Sequence, residues 1–262
     1  MINKVSLNNN YNPNFGHEKR TNMTPKQKAV VLMSSAAGMT PVLAVLAKRK
    51  GFSLNPKNII NTPIKDWAIF KYAPKGKAIK YDAIPIVAVA TGSVLGGYAG
   101  GVLVDDKSQR RAKKREILNQ ILGNVIVPVS CVWTGSELYG KFENRLKAAM
   151  PQFKKSGKYT RIANKCLRNL PQAVATIASL CVGIFCGNKV SNYINEQVYK
   201  RKVDRNIRAT DFAPHVDDLC MATSMMNKGS NFGDKIGRVI PLALIVPGYQ
   251  TGIAQESRTE LL

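Results

Sequence analysis

Five stretches of the chain contain no Asp, Glu, Lys or Arg, and every charged residue lies between or outside them. The stretches have 19, 22, 20, 20 and 17 residues and comprise residues 29–47, 83–104, 117–136, 169–188 and 239–255. A helix needs about 20 predominantly apolar residues to cross the hydrocarbon core of a bilayer. The spacing therefore predicts an all-α, multi-span helical membrane protein.

These stretches are distributed along the whole chain, which favours one folded unit over several domains. We expect a single helical membrane unit over residues 29–255, a disordered polar arm over residues 1–28 and a short tail over residues 256–262. The arm is rich in Asn and has no apolar run near its start, unlike a cleavable signal peptide. We therefore expect an integral membrane protein whose first span is an uncleaved anchor.

Two local patterns refine the predicted spans. Thr24 followed by Pro25 is typical of a helix start, with a capping hydroxyl and a proline in the first turn. The last stretch is interrupted by Pro241, Pro247 and Gly248. Since proline ends or kinks a helix, we expect this stretch to be broken, re-entrant or peripheral.

The second stretch contains the most specific pattern in the chain. Gly92, Gly96 and Gly100 recur every four residues, and Gly97 and Gly101 form a second pair. Four residues is close to one helical turn, so a stripe without side chains allows another helix to approach backbone to backbone. This glycine-zipper pattern predicts tight helix packing. A pore-lining or oligomerising role is the less favoured interpretation.

The third stretch has a polar side opposite its apolar side. Asn119, Gln120, Gly123 and Asn124 fall on that polar side, which we expect to face inward, toward the glycines, where amide side chains can hydrogen-bond across helices. The residues predicted to pack helices together are Gly92, Gly96, Gly97, Gly100, Gly101, Asn119, Gly123 and Asn124.

The net charge of +23 and the pI near 10.0 predict an anionic partner. Basic residues are spread over all four connections rather than gathered in one arm, and no nucleic-acid-binding signature accompanies them. This distribution favours an anionic phospholipid membrane, with nucleic acid not expected as a partner. It gives no orientation by the positive-inside rule, because charge does not alternate between successive connections.

Aromatic residues among lysines, and a basic run between the second and third stretches, are typical of a headgroup layer. The residues predicted to contact lipid headgroups are Trp67, Tyr72, Arg110, Arg111, Lys113, Lys114 and Arg115.

Catalysis or ion coupling inside a membrane usually requires ionisable side chains within the spans, and the five stretches have no Asp, Glu, Lys, Arg or His. We expect no enzyme activity and no cofactor. The best candidate for a metal site is Asp211, His215, Asp217 and Asp218, although salt bridges or helix capping by these aspartates are favoured over metal binding. The five cysteines have no ligand spacing and are expected to be unpaired.

The sequence therefore favours a non-enzymatic membrane protein of structural or assembly type, with a second copy of the chain as a candidate partner. Two alternatives from other classes stay open. One is a pore or channel subunit lined by the glycine-rich helix. The other is a soluble, basic helical protein that binds nucleic acid, with the five stretches as core helices.

Overall fold

The computed structural model describes residues 23–49, 51–64, 67, 83–153, 157–200 and 240–255. All regular elements in these ranges are helical. They are α1 (Pro25–Arg49), α2 (Pro56–Asn61), α3 (Ala83–Val104), a 3-10 turn (Lys107–Gln109), α4 (Arg110–Leu118), a π-helical segment (Asn119–Ile126), α5 (Val127–Ala149), α6 (Lys158–Gln197), α7 (Ile240–Ala243) and α8 (Ile245–Ile253).

Four of the helices are long and apolar enough to cross a membrane: α1, α3, the continuous stretch Lys107–Ala149, and α6. The all-α fold class is thus confirmed. Three of them extend beyond their charge-free stretches, since Lys and Arg are good helix formers and continue the helix into the connections, whereas α3 coincides with its stretch. The predicted arm and tail lie largely outside the described residues.

The start of α1 agrees with the sequence pattern. The Thr24 backbone N–H donates to Gln27 Oε1 (2.8 Å), and the Gln27 backbone N–H donates to Thr24 Oγ1 (3.3 Å). This reciprocal pair is a capping box, which satisfies backbone donors that the first turn leaves without intrahelical acceptors. The predicted helix start at Thr24 and Pro25 is confirmed.

The last apolar stretch forms two short helices, α7 and α8, which meet at Leu244. Pro241 and Pro247 each lie in the first turn of one of them, where a missing N–H is tolerated. The prediction of a broken stretch is confirmed. At nine residues, α8 is too short to cross a bilayer by itself.

One glycine stripe of α3 lies against α1. A Cβ added to Gly96 would lie 2.9 Å from the Cα of Gly38, and one added to Gly100 would lie 2.6 Å from the Cβ of Ser34. The two helices are antiparallel, because Gln27 at the start of α1 donates from Nε2 to the Val104 carbonyl at the end of α3 (2.6 Å).

The second pair of glycines lies against α8. A Cβ on Gly101 would lie 2.9 Å from the Cα of Gly252, and one on Gly97 would collide with the backbone of Gly248. Since residue numbers rise together along this contact, α3 and α8 run parallel. The glycines of α3 are therefore covered on two sides by other parts of the same chain.

A separate contact joins the third and fourth long helices. A Cβ on Gly183 of α6 would lie 2.9 Å from the Cα of Pro128, and Gly187 touches the carbonyl of Gly123. These paired positions run in opposite directions, so α5 and α6 are antiparallel.

A buried apolar cluster connects these contacts. It brings together side chains from α1, α3, the π-helical segment, α5, α7 and the junction before α8. Its members are Met39, Ile86, Val89, Ala90, Val125, Val129, Val132, Ile240 and Leu244.

Replacing Gly97 by Ala tests whether the backbone contact with α8 holds the fold together. The added methyl would overlap the Gly248 carbonyl, and backbone cannot move aside as a side-chain tip can. We expect the free energy of unfolding to fall by about 1–3 kcal/mol. Thermal unfolding in detergent micelles or nanodiscs, followed by circular dichroism, would measure it.

Gly140 provides the matched control, because it also lies within a helix but has nothing within 4 Å of an added Cβ. There the same substitution should raise the stability by about 0.5–1 kcal/mol, the helix-propensity difference between Gly and Ala. Equal effects at Gly97 and Gly140 would contradict this packing.

Candidate functional site: a buried polar cluster at one end of the bundle

The side chain of Lys113, on α4, is fully buried, with 0% of its surface exposed. Its Nζ donates to Asp105 Oδ2 (2.8 Å), to the Gly252 carbonyl (2.7 Å) and to the Ala254 carbonyl (2.9 Å). An ammonium group has three N–H donors, and all three are used here. A buried charge is tolerated only when it is paired and hydrogen-bonded in this way.

The two carbonyls belong to the end of α8. The last carbonyls of a helix have no intrahelical donors and carry the negative end of the helix dipole, so a cation at this position is stabilising. Lys113 therefore closes the C-terminus of α8 and fixes its end against α4.

Asp105, which directly follows α3, is the anionic partner in this contact. It also accepts from Gln255 Nε2, at 2.9 Å for Oδ2 and 3.1 Å for Oδ1. Burial raises the pKa of the Asp105 carboxyl, but hydrogen bonds from Lys113 and Gln255 and the Lys113 charge outweigh it, so the pKa lies below its ordinary value. The Asp105 carboxyl is therefore ionised at neutral pH.

A second set of polar side chains continues along the same helix. Gln120 donates from Nε2 to Glu116 Oε1 and to Gln250 Oε1 of α8, both at 2.8 Å, and accepts from Asn124 Nδ2 at 2.9 Å. Amide side chains thus hydrogen-bond across helices, but their partner is α8 rather than the glycine-rich helix α3. The glycine stripes of α3 are occupied by α1 and α8, so they do not receive this polar side.

The π-helical segment divides the polar residues between two neighbours. Gln120, which accepts from Asn124, bonds to Gln250 of α8, whereas Gly123 lies against Gly187 and Ser191 of α6. A π-helix has more residues per turn than an α-helix, which widens the set of positions that one face presents, and such segments occur often at functional sites. The segment allows one helix to make polar contacts on both sides.

Several buried oxygens near this segment have no hydrogen-bond partner among the residues that the structure describes. They are Asn119 Oδ1, Ser191 Oγ, Asn192 Oδ1 and, farther along α5, the Tyr139 hydroxyl. The first three lie on the π-helical segment and the C-terminal part of α6, on either side of the Gly123–Ser191 contact. All are able to accept a hydrogen bond.

The residues predicted to contact headgroups separate into two groups. Arg110, Arg111 and Lys114 are exposed and Arg115 is half-buried. For Lys113 the prediction is wrong, because its ammonium group is buried and fully bonded within the chain.

Two aromatic residues were also predicted to contact headgroups. The Trp67 indole N–H donates to the Thr62 carbonyl (3.0 Å), and its side chain is half-buried. Tyr72 lies outside the described residues.

The candidate metal residues Asp211, His215, Asp217 and Asp218 also lie outside the described residues. Within the described part of the chain, no group of three or more His, Cys, Asp or Glu side chains could hold a metal ion. The four cysteines in that part are free thiols.

A weak sequence signal could have revealed the buried lysine. Lys113, Glu116, Gln120 and Asn124 recur at spacings of three and four residues, so they fall on one helical face with the inward-facing amides. The two carbonyls that accept from Lys113 are 139 and 141 residues away, and no local pattern connects them to it.

Comparison of the chain with protein-family models, with curated proteins and with solved structures finds no match.

Replacing Lys113 by Met should test the contact with α8. The change leaves the Asp105 carboxylate without its cation and the end of α8 without donors, and breaking a buried pair in this way costs about 3–5 kcal/mol. We expect a matching loss in the free energy of unfolding, measured by thermal denaturation in nanodiscs. Lys114→Met, at the exposed neighbouring position, should change it by less than about 0.5 kcal/mol. Similar values for both variants would show that the buried ammonium does not hold α8.

The low pKa of Asp105 also sets a pH dependence. Because the folded-state pKa lies below the unfolded value, the ion pair contributes its full stability above the unfolded pKa and loses it as the pH falls through the folded pKa. The free energy of unfolding should therefore fall more between neutral and acid pH in the wild type than in Asp105→Asn. Parallel pH profiles of the two unfolding midpoints would argue against this contribution.

Proposed function

We propose that the protein is a non-enzymatic integral membrane protein of structural or assembly type, bound to anionic lipid through its basic connections. The observation that supports the proposal is the large apolar surface that the four long helices leave exposed. Only 17% of the most apolar 18-residue stretch of α1 is buried, and the corresponding share of α6 is 28%. A water-soluble fold would bury most of such helices, and large exposed apolar areas indicate a membrane or a partner.

The exposed side chains are large and aliphatic. On α3, Ile84 is 83% exposed and Leu103 is 79% exposed, although both belong to a helix without a charged residue. These two residues lie near opposite ends of α3, which is 22 residues long. At 1.5 Å per residue the helix spans about 33 Å, comparable to the thickness of the hydrocarbon core.

The polar cluster supports a structural role rather than a catalytic one. Lys113 uses all three of its donors within the chain, and Gln120 and Asp105 each bond to more than one neighbour. A saturated ammonium group has no donor left for a substrate. Its role is to hold α8 in place.

Basic side chains on two of the long helices support the lipid partner. Lys48 and Arg49 lie in the last turn of α1, and Lys189 of α6 lies over the ring of Phe185, 4.7 Å from its centroid. A lysine that covers an aromatic ring while keeping its charge at the surface is typical of the interface between hydrocarbon and headgroups.

The two alternative functions receive less support. A pore lined by the glycine-rich helix requires an open glycine face, and both glycine stripes of α3 are in contact with α1 and α8. The same contacts leave these stripes little room to pack against a second copy of the chain. A soluble nucleic-acid-binding protein would have to keep its exposed apolar surface in water.

Membrane fractionation followed by alkaline carbonate extraction tests the proposal. We expect the tagged protein to stay in the membrane pellet after carbonate and to be released only by detergent. Release by carbonate, or recovery in the soluble fraction, would overturn the membrane assignment and make nucleic acid the leading partner. Anion flux through vesicles reconstituted with the protein would instead support the pore or channel function.

A further inference from the structure

The exposed side of α4, next to buried Lys113, carries several cationic side chains. Arg110, Arg111 and Lys114 are all exposed, and Lys107 precedes them by about one turn. Spacings of three and four residues place them on one helical face. They form a basic stripe, defined here as Lys107, Arg110, Arg111 and Lys114.

The stripe keeps most of its charge free for an external partner. Asp105 is neutralised from the inside by Lys113, so it does not offset the stripe. Asp106 is the adjacent exposed carboxylate, which leaves a net charge of about +3 on this surface.

The same helical face becomes apolar immediately after the stripe. Leu118, four residues beyond Lys114, is 37% exposed, and Ile121 and Leu122 are half-buried. A surface that changes from cationic to aliphatic within one turn matches the change from headgroup to acyl chain in a phospholipid.

The length of the stripe indicates which headgroup fits. Seven residues separate Lys107 from Lys114, about 10 Å along a helix axis. Two arginines lie in the middle of this distance, and guanidinium groups bind phosphate in a bidentate manner. One phosphate would engage only part of this length, whereas two phosphates on one headgroup could engage both halves.

We propose that the basic stripe is a specific binding site for a phospholipid with two phosphate groups, of the cardiolipin class, whose acyl chains lie along Leu118, Ile121 and Leu122. This inference rests on the proposed membrane function and specifies the lipid partner. It attributes lipid binding to one helical face rather than to the net charge of the whole protein.

Native mass spectrometry of the full chain in mild detergent, titrated with cardiolipin, would test the site. The test variant is Arg110→Gln/Arg111→Gln/Lys114→Gln. Since each basic residue near an anionic surface contributes about 1 kcal/mol, we expect an apparent affinity on the order of 100-fold lower than that of the wild type. The singly charged phosphatidylglycerol should bind more weakly than cardiolipin to the wild type, even at equal total lipid charge.

The control variant, Lys158→Gln/Arg161→Gln/Arg168→Gln, removes the same charge from exposed positions of α6. We expect its cardiolipin affinity to remain within about twofold of the wild-type value. Equal losses in the two variants, or equal binding of the two lipids at matched charge, would overturn the specific site and leave only a general attraction of charge. Carbonate extraction of the wild type and both variants distinguishes this outcome from failure of the proposed function. Release of the wild type by carbonate would contradict membrane integration itself, whereas its retention would leave only the specific site in question. Unchanged circular dichroism would exclude misfolding as the cause of weak binding.

Discussion

The structure depends on the close approach of backbones along α3. Because Gly96 and Gly97 have no side chains, α1 and α8 contact the same helix from two directions, and an added Cβ at either position would collide with the partner backbone. Hydrophobic attraction cannot bring helices together in hydrocarbon, where lipid is as apolar as Leu, so close packing and hydrogen bonds must supply the association energy. A helix with this many glycines would be weak in water, but packing on both sides keeps it helical, and the proposed membrane environment would favour the helix further.

The polar cluster follows from the position of α8. Because Gly252 and Ala254 are buried, the last carbonyls of α8 are shielded from water, and each one left unsatisfied would cost about 1–3 kcal/mol. Lys113 donates to the carbonyls of Gly252 and Ala254, and Asp105 balances its charge. With Lys113 buried, the side of α4 that carries Arg110, Arg111 and Lys114 faces outward. The internal contact and the external basic stripe are therefore two consequences of the same helix orientation.

The sequence predicted those features that depend on local pattern. Stretches without charge identified the four long helices, and the prolines at 241 and 247 identified the broken one. The contacts between distant segments could not be predicted in this way. Gly38, Gly248 and Gly252 pack against α3, but their relation to it is set by the fold and not by a repeat. Lys113 is one of six basic residues within residues 105–116, and only a weak spacing pattern separates it from its exposed neighbours.

The most direct test of the membrane account is photolabelling by a phospholipid that carries a carbene precursor at the end of its acyl chain, read out residue by residue by mass spectrometry. Three of the four long helices offer neighbouring residues with opposite exposure: Leu32 beside buried Val31, Leu95 beside buried Val94, and Val182 close to buried Ile184. The account predicts labelling of Leu32, Leu95 and Val182, with Val31, Val94 and Ile184 protected. Labelling of neither set would mean that these helices do not contact acyl chains, and equal labelling of both would contradict the packing around α3.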